Sequence, residues 1–280
     1  MANVPKVSVL TPIYNTNPAH LREMIESILN QTFSDFEFLI LNDSPNNAEI
    51  EKIVMEYAKH DKRIKYSKND KNMGITPSRN KLLKMARGEY IAIFDHDDIS
   101  VPERLEKEVT FLDNNSDIGV VGSTLQLFGN QNEIWSAPEY DEDIRIWITD
   151  RCVIYHTSTM IRRSVLTKND VEYEQAFTPC EDYRLWYRLL PLTRFYNFQE
   201  PLVKYRRFAG ATSISNEQRL LRIGYGITLD IRNSYPAHWN EFKNKYQRVR
   251  YRLFGFIPLL KRQGLTWLLF DFIPLARVKK

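Results

Sequence analysis

The chain has 280 residues, 43% hydrophobic and 26% charged, which fits one large domain, or one domain with an appendage, in a globular protein. Its net charge of +4 is uneven: from Glu241 to Lys280 ten Lys or Arg face only Glu241 and Asp271, so this stretch carries +8 and the first 240 residues −4. Cys152 and Cys180 are too few for a disulfide framework or zinc site. No stretch approaches the roughly 20 apolar residues of a membrane span, and no amino-terminal apolar run is present, so the expectation is a cytoplasmic chain with reduced thiols.

Lys6 to Thr11 reads as a short strand ended by Pro12, and Tyr14 to Pro18 as a loop. From His20 to Leu29 the apolar residues Leu21, Met24, Ile25 and Ile28 recur at helical spacing. Phe36 to Leu41 is a second strand, ending at Asn42-Asp43-Ser44-Pro45, and Ala48 to Lys59 a second amphipathic helix. A brief strand at Ile64 to Tyr66 leads to a polar loop. A helix follows from about Pro77 to Ala86, with Thr76 as the expected N-cap.

Tyr90 to Phe94 reads as a strand buried on both faces. It ends abruptly in Asp95-His96-Asp97-Asp98. Carboxylates packed this closely repel unless something positive lies between them, and their usual partner is a hard divalent cation. Alternating strands and helices predict a parallel sheet with helices on its faces. Right-handed crossovers bring the polar strand ends to one edge, where such sheets bind ligands. Neither G-x-G-x-x-G after the first strand nor G-x-x-x-x-G-K-[ST] occurs, which argues against a dinucleotide-binding dehydrogenase and a P-loop enzyme.

Beyond Pro102 the pattern loosens. Helices are expected at Glu103 to Leu112, Tyr140 to Thr149, Glu181 to Leu190, Glu217 to Ile231 and Trp239 to Leu253. Strands are expected at Ile118 to Phe128, Thr157 to Ile161 and Leu202 to Arg207. The end holds a two-copy repeat, L-F-G-F-I-P-L-L from Leu253 and L-F-D-F-I-P-L-A from Leu269.

Several motifs now stand in order: V-S-V-L-T-P-I-Y-N, S-I-L-N-Q-T-F-S-D-F-E-F-L-I-L-N-D-S, N-x-G-x-x-x-x-R-N, G-E-Y-I-A-I-F-D-H-D-D and C-E-D-Y-R-L-W. From about Lys6 to Ser215 the chain resembles family 2 glycosyltransferases with the GT-A fold. The resemblance implies an α/β chain with a Rossmann-like, mainly parallel nucleotide-sugar half over about 1–100 and an acceptor half over about 101–215. A helical, basic and aromatic extension over 216–280 follows. It also implies inverting, metal-dependent sugar transfer from a UDP-sugar, with Mn²⁺ or Mg²⁺, to a hydroxyl of a surface glycan such as capsule or lipopolysaccharide.

Residue by residue, the resemblance places Pro12 and Tyr14 at the nucleotide, Tyr14 stacking on the base, and Asp43 as the acid that reads it. Arg79 lies along the nucleotide, Asp95 at the ribose or metal and Asp97 on the metal; His96, unusual inside the motif, either contacts the phosphate or points away. Asp182 matches the base that deprotonates the acceptor, with His156, Glu181 and Trp186 on the acceptor side. In Tyr205-Arg206-Arg207-Phe208 a phenylalanine replaces the family's histidine, leaving Arg206 or Arg207 to meet the diphosphate. Two other functions fit the same acids: a nucleotidyltransferase, or a nucleotide-sugar-binding partner subunit without activity. The basic, aromatic tail suits an anionic membrane surface carrying a lipid-linked acceptor. With an acidic body and no recognised motif, nucleic acid is not expected as a partner.

Overall fold

The computed structural model describes residues 4–207 and 217–246, with four further strands between 250 and 277. The first third alternates as the periodicity predicts: β1 (Val7–Ile13), α1 (Pro18–Leu29), β2 (Phe36–Asn42), α2 (Ala48–His60), β3 (Ile64–Lys68), α3 (Ile75–Met85) and β4 (Tyr90–Ile93). The strands pair in parallel in the order β3-β2-β1-β4. β1, β2 and β4 are buried throughout, the mark of strands covered on both faces. Leu21, Met24, Ile25 and Ile28 of α1 and Ile50, Ile53 and Val54 of α2 cover one face. Leu82 of α3 covers the other. Gly88, which opens β4, has no room for a side chain: a Cβ there would lie 2.5 Å from the Ser8 backbone nitrogen.

The second half extends this sheet with mixed pairing. It contains β5 (Ile99–Ser100), α4 (Arg104–Asn114), β6 (Ile118–Gly129), β7 (Ile134–Trp135), α5 (Asp141–Trp147), β8 (Met160–Arg162), α6 (Arg163–Thr167), α7 (Glu181–Leu189) and β9 (Arg194–Arg207). β8 joins β4 antiparallel, β6 follows β8, and β9 lies parallel to β6. The order β3-β2-β1-β4-β8-β6-β9-β5, with β7 on β6, makes one sheet of nine strands.

Three expectations need correction. Helix α3 starts at Ile75 with Gly74 as its N-cap. Thr76 bonds instead to the Thr178 hydroxyl at 2.6 Å. Gly74 has φ 87, open to glycine and strained for other residues, although a Cβ there would meet nothing within 4 Å. Thr157 to Ile161 splits into a 3-10 turn, His156–Ser158, and the later strand β8. The strand expected at Leu202 to Arg207 begins at Arg194, because Asn197 and Gln199 satisfy their amides on the carbonyls of Pro138, Val153 and Ala137.

The extension is helical only in its first part. α8 (Glu217–Ser234) and α9 (Pro236–Tyr246) are followed by antiparallel β10 (Arg250–Leu253), β11 (Ile257–Gln263), β12 (Thr266–Leu269) and β13 (Ile273–Arg277). The helix expected at Trp239 to Leu253 therefore stops by Tyr246; residues 247–249 lie outside the described residues. Each copy of the repeat carries a proline, Pro258 and Pro274, that a helix interior rejects, among aromatic and branched residues that favour strands. Among the described residues no helix is long and apolar enough to cross a membrane.

Candidate active site

Four parallel strands end on one edge, and each delivers polar residues there. Past β1, Tyr14 is 49% exposed, and Asn15 turns the chain with φ 42. Past β2, Asp43 is buried. Its Oδ1 accepts from Asn69 Nδ2 at 2.7 Å and Met73 N at 2.8 Å, and its Oδ2 from Gly74 N at 2.8 Å. Asp43 thus ties the loop after β3 to the end of β2. A cleft of about 560 Å³ opens over these ends, lined by Tyr14, Asn15, Asp43, Ser44, Asn47 and Lys71 among others. Asn69 had no role in the sequence reading, although its place directly after β3 was a signal. Pro12 is buried inside β1, opposite Leu41, so it serves the strand that carries Tyr14.

Past β4 lies the acid cluster. Asp95 N donates to Thr157 Oγ1 at 3.2 Å, and the His96 ring sits 3.1 Å from Thr16 Oγ1. Burial raises the Asp97 carboxyl, and Asp95 adds to the rise against the opposing pull of His96. Asp98 is fully buried. Burial and then Asp97 hold its carboxyl well above the usual range. Arg206 closes this cluster. Its backbone N–H donates to Asp98 Oδ1 at 2.9 Å, its Nε to the Asp97 carbonyl at 2.7 Å, and its Nη2 to Glu23. Arg207 lies 5.5 Å over the Trp135 ring.

Carboxylates are the ligand type that a hard cation takes. Among the described residues no three His, Cys, Asp or Glu side chains converge on one point. Two carboxylates, Asp95 and Asp97, match the ligand number that an ion such as Mg²⁺ takes at nucleotide sites.

Arg79 joins this tip to α7. It is nearly enclosed: its Nη1 donates to Glu181 Oε1 at 2.5 Å and its Nη2 to Asp95 Oδ1 at 3.1 Å. The resemblance lays Arg79 along the nucleotide; in the fold its guanidinium pairs with two acids, 16 and 102 residues away. Asp182, next to Glu181, is half-buried and accepts from Tyr183 N at 2.7 Å. Burial and the Glu181 charge push its carboxyl up to about 6, with Arg79 and the Tyr183 N–H opposing. Helix starts normally favour ionised acids, and here burial wins.

His156 is buried behind this group. Its Nε2 pairs with the Tyr173 hydroxyl at 2.8 Å, and its Nδ1 stands 3.9 Å from Asp95 Oδ1. Burial, then Arg79, hold its pKa well below the ordinary value, so the ring is neutral. Trp186 is fully buried, its ring 6.0 Å from His156. It supports that histidine from behind, and an acceptor does not reach it in this conformation.

A family model described as Glycosyl transferase family 2 matches residues 8–169. The chain belongs to this family. An uncharacterized glycosyltransferase of Methanocaldococcus jannaschii, MJ1057, is 39% identical across 72% of this chain and 71% of its own length. The O-antigen biosynthesis glycosyltransferase WbnJ of Escherichia coli is 32% identical across 65% of this chain and 72% of its own. Among solved structures, S. aureus TarS in complex with UDP-GlcNAc superposes with a TM-score of 0.65 at 20% identity, covering 87% of this chain and 76% of that one. At that identity the likeness speaks for the fold, an α/β architecture with the same kind of mixed sheet.

Proposed function

We propose that this family 2 glycosyltransferase moves a sugar from a UDP-sugar to a hydroxyl of a growing surface polysaccharide, with inversion at the anomeric carbon. The observation that carries the reading is a single sheet edge holding three parts in sequence. These are the Tyr14–Asp43 cleft, the Asp95–Asp97 tip and, through Arg79, the Glu181–Asp182 pair. A nucleoside diphosphate sugar needs these three in that order. UDP-GlcNAc in TarS and the O-antigen role of WbnJ support the donor and acceptor classes.

In this reading Tyr14 stacks on the base with its exposed ring. Asp43 takes the uracil N–H on Oδ2, which accepts one internal hydrogen bond and keeps a lone pair. Asp95 and Asp97 would hold Mn²⁺ or Mg²⁺, which supplies charge neutralisation at the departing diphosphate. Asp182 takes the proton of the incoming hydroxyl. Its raised carboxyl, at about 6, stays ionised at neutral pH yet is basic enough to accept that proton. Arg79 holds Glu181 and Asp95 in fixed relation, so the base and the donor tip keep their spacing.

The acceptor reading extends to a lipid surface. Helix α8 leaves Leu221, Tyr225 and Leu229 exposed at 66%, 59% and 40%. Their i, i+4, i+8 spacing puts them on one face, and the chain after Glu241 is strongly basic. That combination suits peripheral attachment to an anionic membrane facing the cytoplasm. The side chains after residue 246 lie outside the described residues.

The test is UDP release from UDP-Glc, UDP-Gal, UDP-GlcNAc and UDP-GalNAc with Mn²⁺, on wild type and Asp182→Asn. One donor should be hydrolysed or transferred by wild type only, while both proteins bind UDP. Nucleotidyl transfer, or no turnover with any donor, would overturn the reading.

A further inference from the structure

We propose that the buried Arg104–Glu108 ion pair is a positioning device for the donor site, with the Arg104 guanidinium pinning the ends of β4 and β8 so that Asp95, Asp97 and His156 stand in register. The inference rests on the glycosyltransferase reading of that sheet edge. Both side chains are fully buried. Arg104 Nε donates to Glu108 Oε1 at 3.1 Å, and its Nη2 donates to two carbonyls, Ile93 O at 3.0 Å and Thr159 O at 3.3 Å. The guanidinium also lies 5.4 Å over the Phe94 ring.

Those carbonyls sit where both halves of the site begin. Ile93 N already donates to Thr159 O at 2.9 Å, the contact by which the end of β4 meets the residue entering β8. Past Ile93 and Phe94 the chain becomes Asp95, His96 and Asp97. Before Thr159 it is the 3-10 turn of His156, Thr157 and Ser158. The two segments touch again at Asp95 N with Thr157 Oγ1, and at Asp95 Oδ1 with the His156 ring. One fork of donors thus anchors both segments at their roots, two to four residues from the groups that would meet donor and metal.

Stability alone does not call for this pair. Burial raises the Glu108 carboxyl to about 7 even against Arg104. Among the described residues, Arg104 Nη1 and Glu108 Oε2 have no hydrogen-bond partner. Apolar side chains of similar volume generally replace such a pair at no loss of stability, or with a gain. What apolar side chains cannot do is hold two carbonyls at fixed points. The charge is therefore kept for position.

Position and stability separate in three variants of the full chain, each followed by thermal unfolding and by calorimetric titration with UDP in Mn²⁺. Arg104→Met/Glu108→Met should unfold at or above the wild-type temperature, yet bind UDP about 10–100-fold more weakly, as when groups that orient metal ligands are lost. Glu108→Gln leaves the guanidinium on its carbonyls and should unfold earlier while binding like wild type. Arg104→Lys keeps the charge but loses the fork, and should weaken binding. If the double variant does not fold, the last two carry the comparison. Wild-type affinity in the double variant or in Arg104→Lys, or affinity that follows unfolding temperature across the set, overturns the positioning claim alone. Wild-type protein that does not bind UDP overturns the donor reading as well.

Discussion

Asp182→Asn separates the chemical step from everything else in the site. Asparagine keeps an oxygen that accepts the Tyr183 N–H, so the start of α7 should hold its shape. It removes the proton acceptor, and transfer should fall by about 10²–10⁴-fold with UDP affinity unchanged. In wild type the carboxyl at about 6 sets the acid limb of the rate. One pH unit below it about a tenth of the base remains ionised, so kcat/KM should drop about fivefold from pH 6 to pH 5, about tenfold from pH 7 to pH 5, and level off above pH 7. Stability moves the opposite way. The carboxyl's ordinary value is 3.8 and its folded value about 6. The protonated form therefore favours folding, and that contribution is lost as pH rises through about 6. A rise of that size is worth about 2–3 kcal/mol, so Asp182→Asn should be the more stable protein at pH 8 by up to that amount. Stopped assays of UDP release over pH 5–8 and urea unfolding at pH 8 measure both. A variant that keeps wild-type turnover, or a wild-type rate flat between pH 5 and pH 7, would refute the assignment of the base.

Tyr14→Ala removes an exposed ring and should leave the unfolding free energy within about 0.5 kcal/mol, while UDP affinity drops by about 1–3 kcal/mol by calorimetry, the usual worth of base stacking. Arg79→Met leaves Glu181 buried without its partner, and urea unfolding should show a loss of about 3–5 kcal/mol. Sedimentation with anionic vesicles should retain the protein at low salt and release it as salt rises, with Leu221→Glu/Leu229→Glu retained less; equal retention on neutral vesicles would contradict the membrane reading.

The first four strands and their helices are legible because their periodicity is strong and β1, β2 and β4 are short, apolar and buried on both faces. The acids after β4 also announced themselves, since no solvated turn needs Asp95, Asp97 and Asp98 together. What stayed hidden was pairing over long sequence distances. Arg79 is singled out by its motif as a nucleotide-side residue, but its pairing with Glu181 and Asp95 shows only in the fold. Thr157 shows no motif, yet its hydroxyl accepts the Asp95 N–H. β9 reads as less than half its length because its polar residues break the alternation and find partners far off in sequence, at Ala137, Pro138 and Val153. In the tail, aromatic and basic residues gave a helical pattern that Pro258 and Pro274 should have vetoed.

The central claim is that a divalent ion at the β4 tip joins a nucleoside diphosphate to this sheet edge. Calorimetric titration of UDP into wild type and Asp97→Asn, each with Mn²⁺ and with chelator, tests it most directly. The account predicts tight binding only for wild type with Mn²⁺, and binding weaker by at least about tenfold in the other three cases. Equal affinity with and without the metal, or an Asp97→Asn variant that binds like wild type, would contradict it.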